Sequence, residues 1–127
     1  MKLIIGGYAQ GKLKYALTKN SLHTNVVFDK TIPQQEEIKE PKVIINHFHD
    51  WVNSSLRNDG CPEEEIRKLL EYAPECIIIS DEIGNGIVPM EKTERVYRER
   101  LGRILIELAD KAEEVERVIC GIGQKIK

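Results

Sequence analysis

The sequence predicts an α/β domain built on a mostly parallel sheet. Three observations carry that expectation. Five short runs rich in Ile and Val recur along the 127 residues. They do not alternate apolar with polar residues, which suits strands buried on both faces of a parallel sheet. Helical patterns fall between several of them, and the length suffices for one domain with a sizeable core but not for two.

In chain order, Lys2-Leu3-Ile4-Ile5 reads as the first strand and ends in Gly6-Gly7. A helix is predicted from Gly11 to about Lys19. Asn25 to Phe28 is the second strand. The polar stretch Ile32 to Glu40, with Pro33 and Pro41 at its ends, reads as a short helix or a loop. Lys42 to Ile45 is the third strand, introduced by Pro41. Helices are predicted over 50–57 and 62–72. Pro62 followed by Glu63, Glu64 and Glu65 is a helix start, with proline in the first turn and acids at the positive end of the dipole. Glu75 to Ile79 is the fourth strand. A long helix is predicted from about Glu91 to Glu114, with Val96, Leu101, Leu105, Leu108 and Ala112 at helical spacing. Its acid-then-base pairs Glu91/Arg95, Glu94/Arg98, Glu99/Arg103 and Glu107/Lys111 read as a solvated face. Arg117 to Cys120 is the fifth strand.

Composition narrows the function classes. Hydrophobic residues make up 41% and charged residues 31%, as in soluble globular proteins. The formal net charge of −2 implies no general attraction to nucleic acid or to an anionic membrane. No apolar run approaches the length of a membrane span, and Met1-Lys2 leads straight into a strand, with no signal-peptide pattern. The three cysteines, Cys61, Cys76 and Cys120, lack CxxC spacing, which argues against a disulfide framework or a zinc site and suits a reducing cytoplasm. Cys76 and Cys120 flank apolar runs and read as small buried hydrophobes.

Ligands of parallel sheets bind beyond the carboxyl ends of the strands. Gly6 to Lys12, Asn46 to Asp50 and Ser80 to Glu82 each follow a strand and are expected on one rim. Gly6 to Lys12 spells G-x-x-x-x-G-K, between a strand and a helix. In such a loop the glycines let the backbone wrap phosphates, the helix N-terminus directs N–H groups at them, and the lysine reaches the terminal phosphates. Gly6, Gly7, Tyr8, Ala9, Gln10, Gly11, Lys12 and Leu13 are therefore the candidate nucleotide-binding residues. The fold class sharpens to a P-loop-type, mostly parallel sheet of five to six strands flanked by helices. Leu13 stands where such loops place the Ser or Thr that ligates Mg²⁺.

The second informative stretch runs from Ser80 to Lys127 and holds Glu82-Ile83-Gly84, Gly86-Ile87-Val88-Pro89, Arg95, Arg98, Gly102, Leu108-Ala109, Glu114-Val115, and Gly121-Ile122 with Ile126-Lys127. Taken with Gly6-Gly7 and Gly11-Lys12, it resembles the bifunctional adenosylcobinamide kinase / adenosylcobinamide-phosphate guanylyltransferase family of cobalamin biosynthesis. The resemblance is clear over about the first 16 residues and the last 50, and loose between. It implies a P-loop sheet, usually a homotrimer. It also implies phosphorylation of the cobinamide aminopropanol hydroxyl with GTP or ATP, and GMP transfer through a covalent guanylyl-histidine.

Four departures from the family pattern point one way. Leu13 replaces the loop hydroxyl. Asn46 stands where an acid is usual, and an amide is the poorer Mg²⁺ ligand. Leu105-Ile106 replaces an Asn-Gln pair. The helical segment that carries the guanylylated histidine is missing: residues 29–40 separate Phe28 from Pro41 and include no histidine, the three being His23, His47 and His49. Guanylyl transfer is thus expected to be lost. His47 and His49 make too small a set for a metal site and read as rim histidines. Asp50 is a remote substitute for the missing acid; Asp81 and Glu82 are better placed for a water-bridged Mg²⁺ or a substrate contact. Trp51 reads as core or interface. The expectation is a protein that binds GTP or ATP and has weak or absent kinase activity, with Lys12 and Glu82 as the candidate catalytic residues, Lys12 holding the β/γ phosphates and Glu82 helping metal or substrate. The alternative is a working kinase acting on the corrinoid adenosylcobinamide. A nucleic-acid motor is disfavoured by length and charge.

Overall fold

A computed structural model describes residues 1–83 and 91–127. Strands β1 (Lys2–Gly6), β2 (Val27–Asp29), β3 (Ile44–Asn46), β4 (Ile77–Asp81), β5 (Glu114–Ile119) and β6 (Ile122–Lys125) form one sheet in the order β2-β3-β4-β1-β5-β6. All neighbouring pairs run parallel except β5 with β6. The helices are α1 (Lys12–Lys19), α2 (Phe48–Arg57), α3 (Pro62–Tyr72) and α4 (Lys92–Lys111). The predicted fold class is therefore the observed one.

The sheet is buried on both faces because its central strands are apolar throughout. Leu3, Ile45, Ile78 and Val115 face one core, closed by Phe48 and Val52 of α2, Ile66 and Leu69 of α3, and Leu101, Ile104 and Leu108 of α4. Ile4, Ile44, Ile77, Ile79 and Val118 face the other, closed by Ala16 with Leu13, Tyr15 and Leu17 of α1. Burying a large aliphatic side chain contributes about 1.5–3 kcal/mol, so these layers set the sheet order.

Several boundaries differ from the sequence reading. Helix α2 starts at Phe48 rather than Asp50, after His47 turns the chain with φ +52°. Asn25 and Val26 belong to a 3₁₀ turn, and β2 shifts on to Val27–Asp29. The weak stretch contains one 3₁₀ turn, Gln35–Glu37, closed by a capping box in which Gln34 N donates to the Glu37 carboxylate at 3.0 Å. Helix α4 stops at Lys111, and β5 begins at Glu114 because Val115 must pair with Leu3. The buried stripe of α4 is Tyr97, Leu101, Ile104 and Leu108, while Val96 is 40% exposed and Leu105 only borders the core. The Val96-based stripe was displaced because Tyr97 anchors the helix instead, donating its buried hydroxyl to the His49 carbonyl at 3.0 Å. The solvated face holds: Glu94/Arg98, Glu99/Arg103 and Glu107/Lys111 pair. Trp51 stacks tilted on Phe48 at 5.6 Å between centroids and is half-buried.

The sixth strand is a β-hairpin return. Cys120 and Gly121, with φ +50° and +77°, form the two-residue turn between Ile119 and Ile122. Cys120 is thus exposed on a turn, not buried as its neighbours suggested, whereas Cys76 is fully buried and desolvation pushes its thiol up to about 11. On the α1 side of β5, buried Glu116 accepts hydrogen bonds from Tyr15 and Lys19. The Glu116 contact raises the Lys19 pKa. Among the described residues no helix is long and apolar enough to cross a membrane.

The corrected face of α4 is measurable. Leu101→Ala should lower the free energy of unfolding by about 2–5 kcal/mol, whereas Ile106→Ala, at a position 72% exposed, should change it by no more than about 0.5 kcal/mol. Urea unfolding of both variants checks the contrast, and equal losses would contradict the assignment.

Candidate functional site

Strand β1 ends at Gly6, which lies opposite Asp81 of β4. The chain then loops over Gly7 to Gly11 and enters α1 at Lys12. Gly6 has no room for a side chain, because a Cβ there would sit 2.6 Å from the Val118 carbonyl oxygen of β5. Gly11 caps α1 with φ +82°, the left-handed region that costs other residues most. No side chain caps the helix and no acid occupies its first turn. Its first N–H groups and the positive end of its dipole therefore face the loop.

The loop is held from the far side by the β5–β6 turn. Gly121 N donates to the Gln10 carbonyl at 2.8 Å, and Cys120 N donates to Gln10 Oε1 at 2.7 Å. A Cβ on Gly11 would lie 3.4 Å from Gly121 Cα, so loop and turn are in van der Waals contact. Gln10 thus acts as a brace within the loop.

A cavity of about 340 Å³ opens on the other side, lined by Tyr8 to Lys14, Asn46, His47, His49, Ile79 and Asp81. All three predicted rim segments contribute to the same end of the sheet. Lys12 forms its floor. Its Nζ donates to the Gly7 carbonyl at 2.6 Å and pairs with Asp81 Oδ1 at 2.7 Å, and the side chain is only 8% exposed. Asp81 is also tied to His49: its backbone N–H donates to Nδ1 at 3.0 Å, and its Oδ2 lies 3.4 Å from Nε2. With Nδ1 accepting, the neutral ring carries its proton on Nε2, toward Asp81 and toward Asp50 Oδ2 at 3.6 Å. Burial holds the His49 pKa below the ordinary histidine value, against the pull of Asp81 and then Asp50.

The second rim cluster is Asp29, Asn46 and His47. Asn46 Nδ2 donates to Asp29 Oδ1 at 2.9 Å, and His47 Nδ1 lies 2.5 Å from the same oxygen. Burial works to raise the Asp29 pKa, but the His47 contact and charge outweigh it and hold the carboxyl below its usual range. The His47 and His49 rings meet edge to face at 5.7 Å. Each serves a different carboxylate, and among the described residues no three His, Cys, Asp or Glu side chains converge as a metal cage.

The other sequence candidates sort clearly. Tyr8 is 86% exposed at the tip of the loop. Leu13 borders the cavity and also packs on the core under α1, so the position of the missing hydroxyl does hydrophobic work. Glu82 lies beyond the Lys12 cavity. Its N–H donates to the Gly6 carbonyl at 2.7 Å, and its carboxylate pairs with Arg117 Nη2 at 3.0 Å. The carboxylate beside Lys12 is Asp81. The segment Gly84 to Pro89 lies outside the described residues. Sequence reasoning missed Asp29, Arg117 and the bracing role of Gln10. Only the two-residue Cys-Gly turn between Ile119 and Ile122 signalled the hairpin.

The family model of cobinamide kinase / cobinamide phosphate guanyltransferase matches residues 20–126, which takes in the rim from Asp29 to Glu82 and the bracing hairpin but starts after the loop itself. The bifunctional adenosylcobalamin biosynthesis protein CobU of Salmonella typhimurium strain LT2 is 38% identical over 69 residues, covering 51% of this chain and 38% of the relative. That of Escherichia coli strain K12 is 39% identical over 67 residues, covering 50% and 37%. The matched stretch thus spans well under half of these relatives. A family match over most of the chain, on a six-stranded sheet with a glycine loop and lysine at the carboxyl rim, establishes that the chain belongs to the cobinamide kinase / cobinamide phosphate guanyltransferase family.

Proposed function

We propose that the chain binds GTP or ATP by its phosphates at Gly6 to Leu13. In this reading phosphoryl transfer to adenosylcobinamide is weak or absent, and guanylyl transfer is lost. One observation carries it. Residues 8–14, which take in the loop, Lys12 and the uncapped start of α1, line one cavity, and the Asp81 carboxylate pairs with the lysine there. An anion arriving there competes with Asp81 for Lys12, so a phosphate chain suits the site better than a neutral ligand.

The donor set for Mg²⁺ is thin. Leu13 offers no oxygen, the Asn46 amide is turned to Asp29, and Asp81 is the one carboxylate among the described residues lining the cavity. These residues fit a Mg²⁺ carried chiefly by phosphate oxygens and water, with Asp81 beside it. Bound in that way, the ion would offset charge on the phosphates. The chain's own part is to hold the phosphates with Lys12 and backbone N–H groups, and to keep Glu82 on the neighbouring side of the loop. Loss of guanylyl transfer is supported by the β2–β3 connection, which contains only one 3₁₀ turn and no histidine over 30–43. The alternative, a working single-activity kinase, is favoured by the Asp81 carboxylate at the end of β4. Assembly as a homo-oligomer in the cytoplasm, a trimer by the family resemblance, is part of the proposal, and the solution mass from light scattering checks it.

The deciding experiment uses GTP and ATP labelled in the terminal phosphate, with Mg²⁺ and adenosylcobinamide. Nucleotide should bind, and Lys12→Ala should weaken binding about 10- to 100-fold, the worth of one charge-assisted hydrogen bond. Labelled cobinamide phosphate should form slowly or not at all. Brisk turnover that Lys12→Ala abolishes would select the alternative. No nucleotide binding would overturn the proposal, and covalent label from α-labelled GTP would overturn the loss of guanylyl transfer. Leu13→Ser should make nucleotide affinity rise several-fold with Mg²⁺ where the native chain responds little. It should also cost about 1 kcal/mol of stability, since a partly buried aliphatic side chain is lost. Calorimetric titration with and without Mg²⁺ reads the first, and thermal unfolding the second.

A further inference from the structure

Lys12 lines its cavity already engaged. In a loop of this type the backbone N–H groups cradle the inner phosphates, and the lysine reaches the outer ones. An ammonium has three donors. Two of those on Lys12 are taken, one by the Gly7 carbonyl at 2.6 Å and one by Asp81 Oδ1 at 2.7 Å. We infer that Asp81 is a specificity-determining residue: it occupies the terminal-phosphate position on Lys12 and makes the site prefer a nucleoside diphosphate to a nucleoside triphosphate. The inference deepens the nucleotide reading above and rests on it. GTP or ATP still binds, but its third phosphate has to contend with Asp81.

Three features hold the carboxylate in place. Asp81 is the last residue of β4 and lies in register with Gly6, so the parallel pairing fixes its backbone at the base of the loop. His49 ties it twice: Nδ1 accepts the Asp81 N–H at 3.0 Å, and Nε2 lies 3.4 Å from Oδ2. His49 is itself buried and anchored, since its carbonyl accepts the Tyr97 hydroxyl at 3.0 Å. One oxygen of Asp81 thus faces the lysine and the other faces His49, and turning away gives up both contacts. The side chains of the Lys12–Asp81 pair are 8% and 14% exposed, so water screens their charges little. A diphosphate fits this arrangement. The loop N–H groups and the third Lys12 donor serve its two phosphates, and the Asp81 contact stays intact. A third phosphate has two courses, both unfavourable. It can stand beside Asp81 on one ammonium, where the two anions repel, or it can displace a carboxylate that His49 holds. A terminal phosphate kept off Lys12 also lacks the cation that offsets charge in phosphoryl transfer, in keeping with weak or absent kinase activity.

The test is calorimetric titration of the full chain with GDP, GTP, ADP and ATP in excess EDTA, so that only groups of the chain meet the phosphates. The native chain should bind the diphosphates more tightly than the triphosphates. Asp81→Asn keeps the size of the side chain and removes its charge. It should tighten the triphosphates about tenfold, one charge-assisted contact regained on Lys12, and the diphosphates by less than about threefold, so that the order reverses. A merely structural Asp81 would move both classes together. Adding Lys12→Ala to Asp81→Asn should cancel the gain. Circular dichroism melts check that each variant is folded, and Asp81→Ala takes the place of Asp81→Asn should the latter not fold. A native chain that binds the triphosphates as tightly as the diphosphates or more so, a triphosphate-to-diphosphate ratio that the Asp81 variant leaves within about threefold of native, or a gain that survives the loss of Lys12 would overturn the inference. Each of those results leaves the nucleotide reading standing, because nucleotide has bound. A native chain that binds none of the four would overturn that reading, and this inference with it.

Discussion

Everything at the site hangs on the double parallel pairing of β1. The strand is hydrogen-bonded to β4 on one edge and β5 on the other, with Gly6 level with Asp81 and Ile5 with Arg117. That register fixes what can stand around the first residues of the loop. Asp81 falls on one side and Arg117 on the other, because both neighbours run in the same direction as β1 and end at the same height. A slip of one residue would exchange the two faces of the strand and break both cores at once. The apolar layers under β1 thus also set the electrostatic layout of the rim.

Within that frame the charges form two separate pairs. Lys12 with Asp81 is half-enclosed, linked onward to His49 and through its backbone carbonyl to Tyr97 of α4. Glu82 with Arg117 is open to solvent. The first is the more deeply buried and holds a lysine in place; the second is the more exposed and more screened by solvent. Asp81 ends β4 and Glu82 follows it, and the two carboxylates have unlike roles because one meets Lys12 and the other Arg117.

Much of this was legible in the sequence. The four central strands, the loop and the shared rim follow from unalternated Ile and Val runs and from strand-loop-helix order. The misses have physical causes. The stripe of α4 was read through Val96 and Leu105 because apolar spacing alone cannot tell a tyrosine that buries its ring from an exposed one. Tyr97 takes the core position since its hydroxyl finds the His49 carbonyl. Cys120 sits beside Val118 and Ile119 but on a left-handed turn, where neighbours in sequence are not neighbours in space. Glu82 and Asp81 were read together, and only the register separates them. The pairing of Gln10 with residues 110 positions away has no local signature at all.

That last contact bears on how the loop is born. Gln10 leaves the ribosome more than a hundred residues ahead of the groups that brace it, at Cys120 and Gly121. Contacts of such separation form late, after the entropy of closing the intervening chain has been overcome. The glycine loop therefore lacks this brace until the β5–β6 hairpin has been made and has closed. The shape of the loop is thus completed only together with the hairpin that braces it.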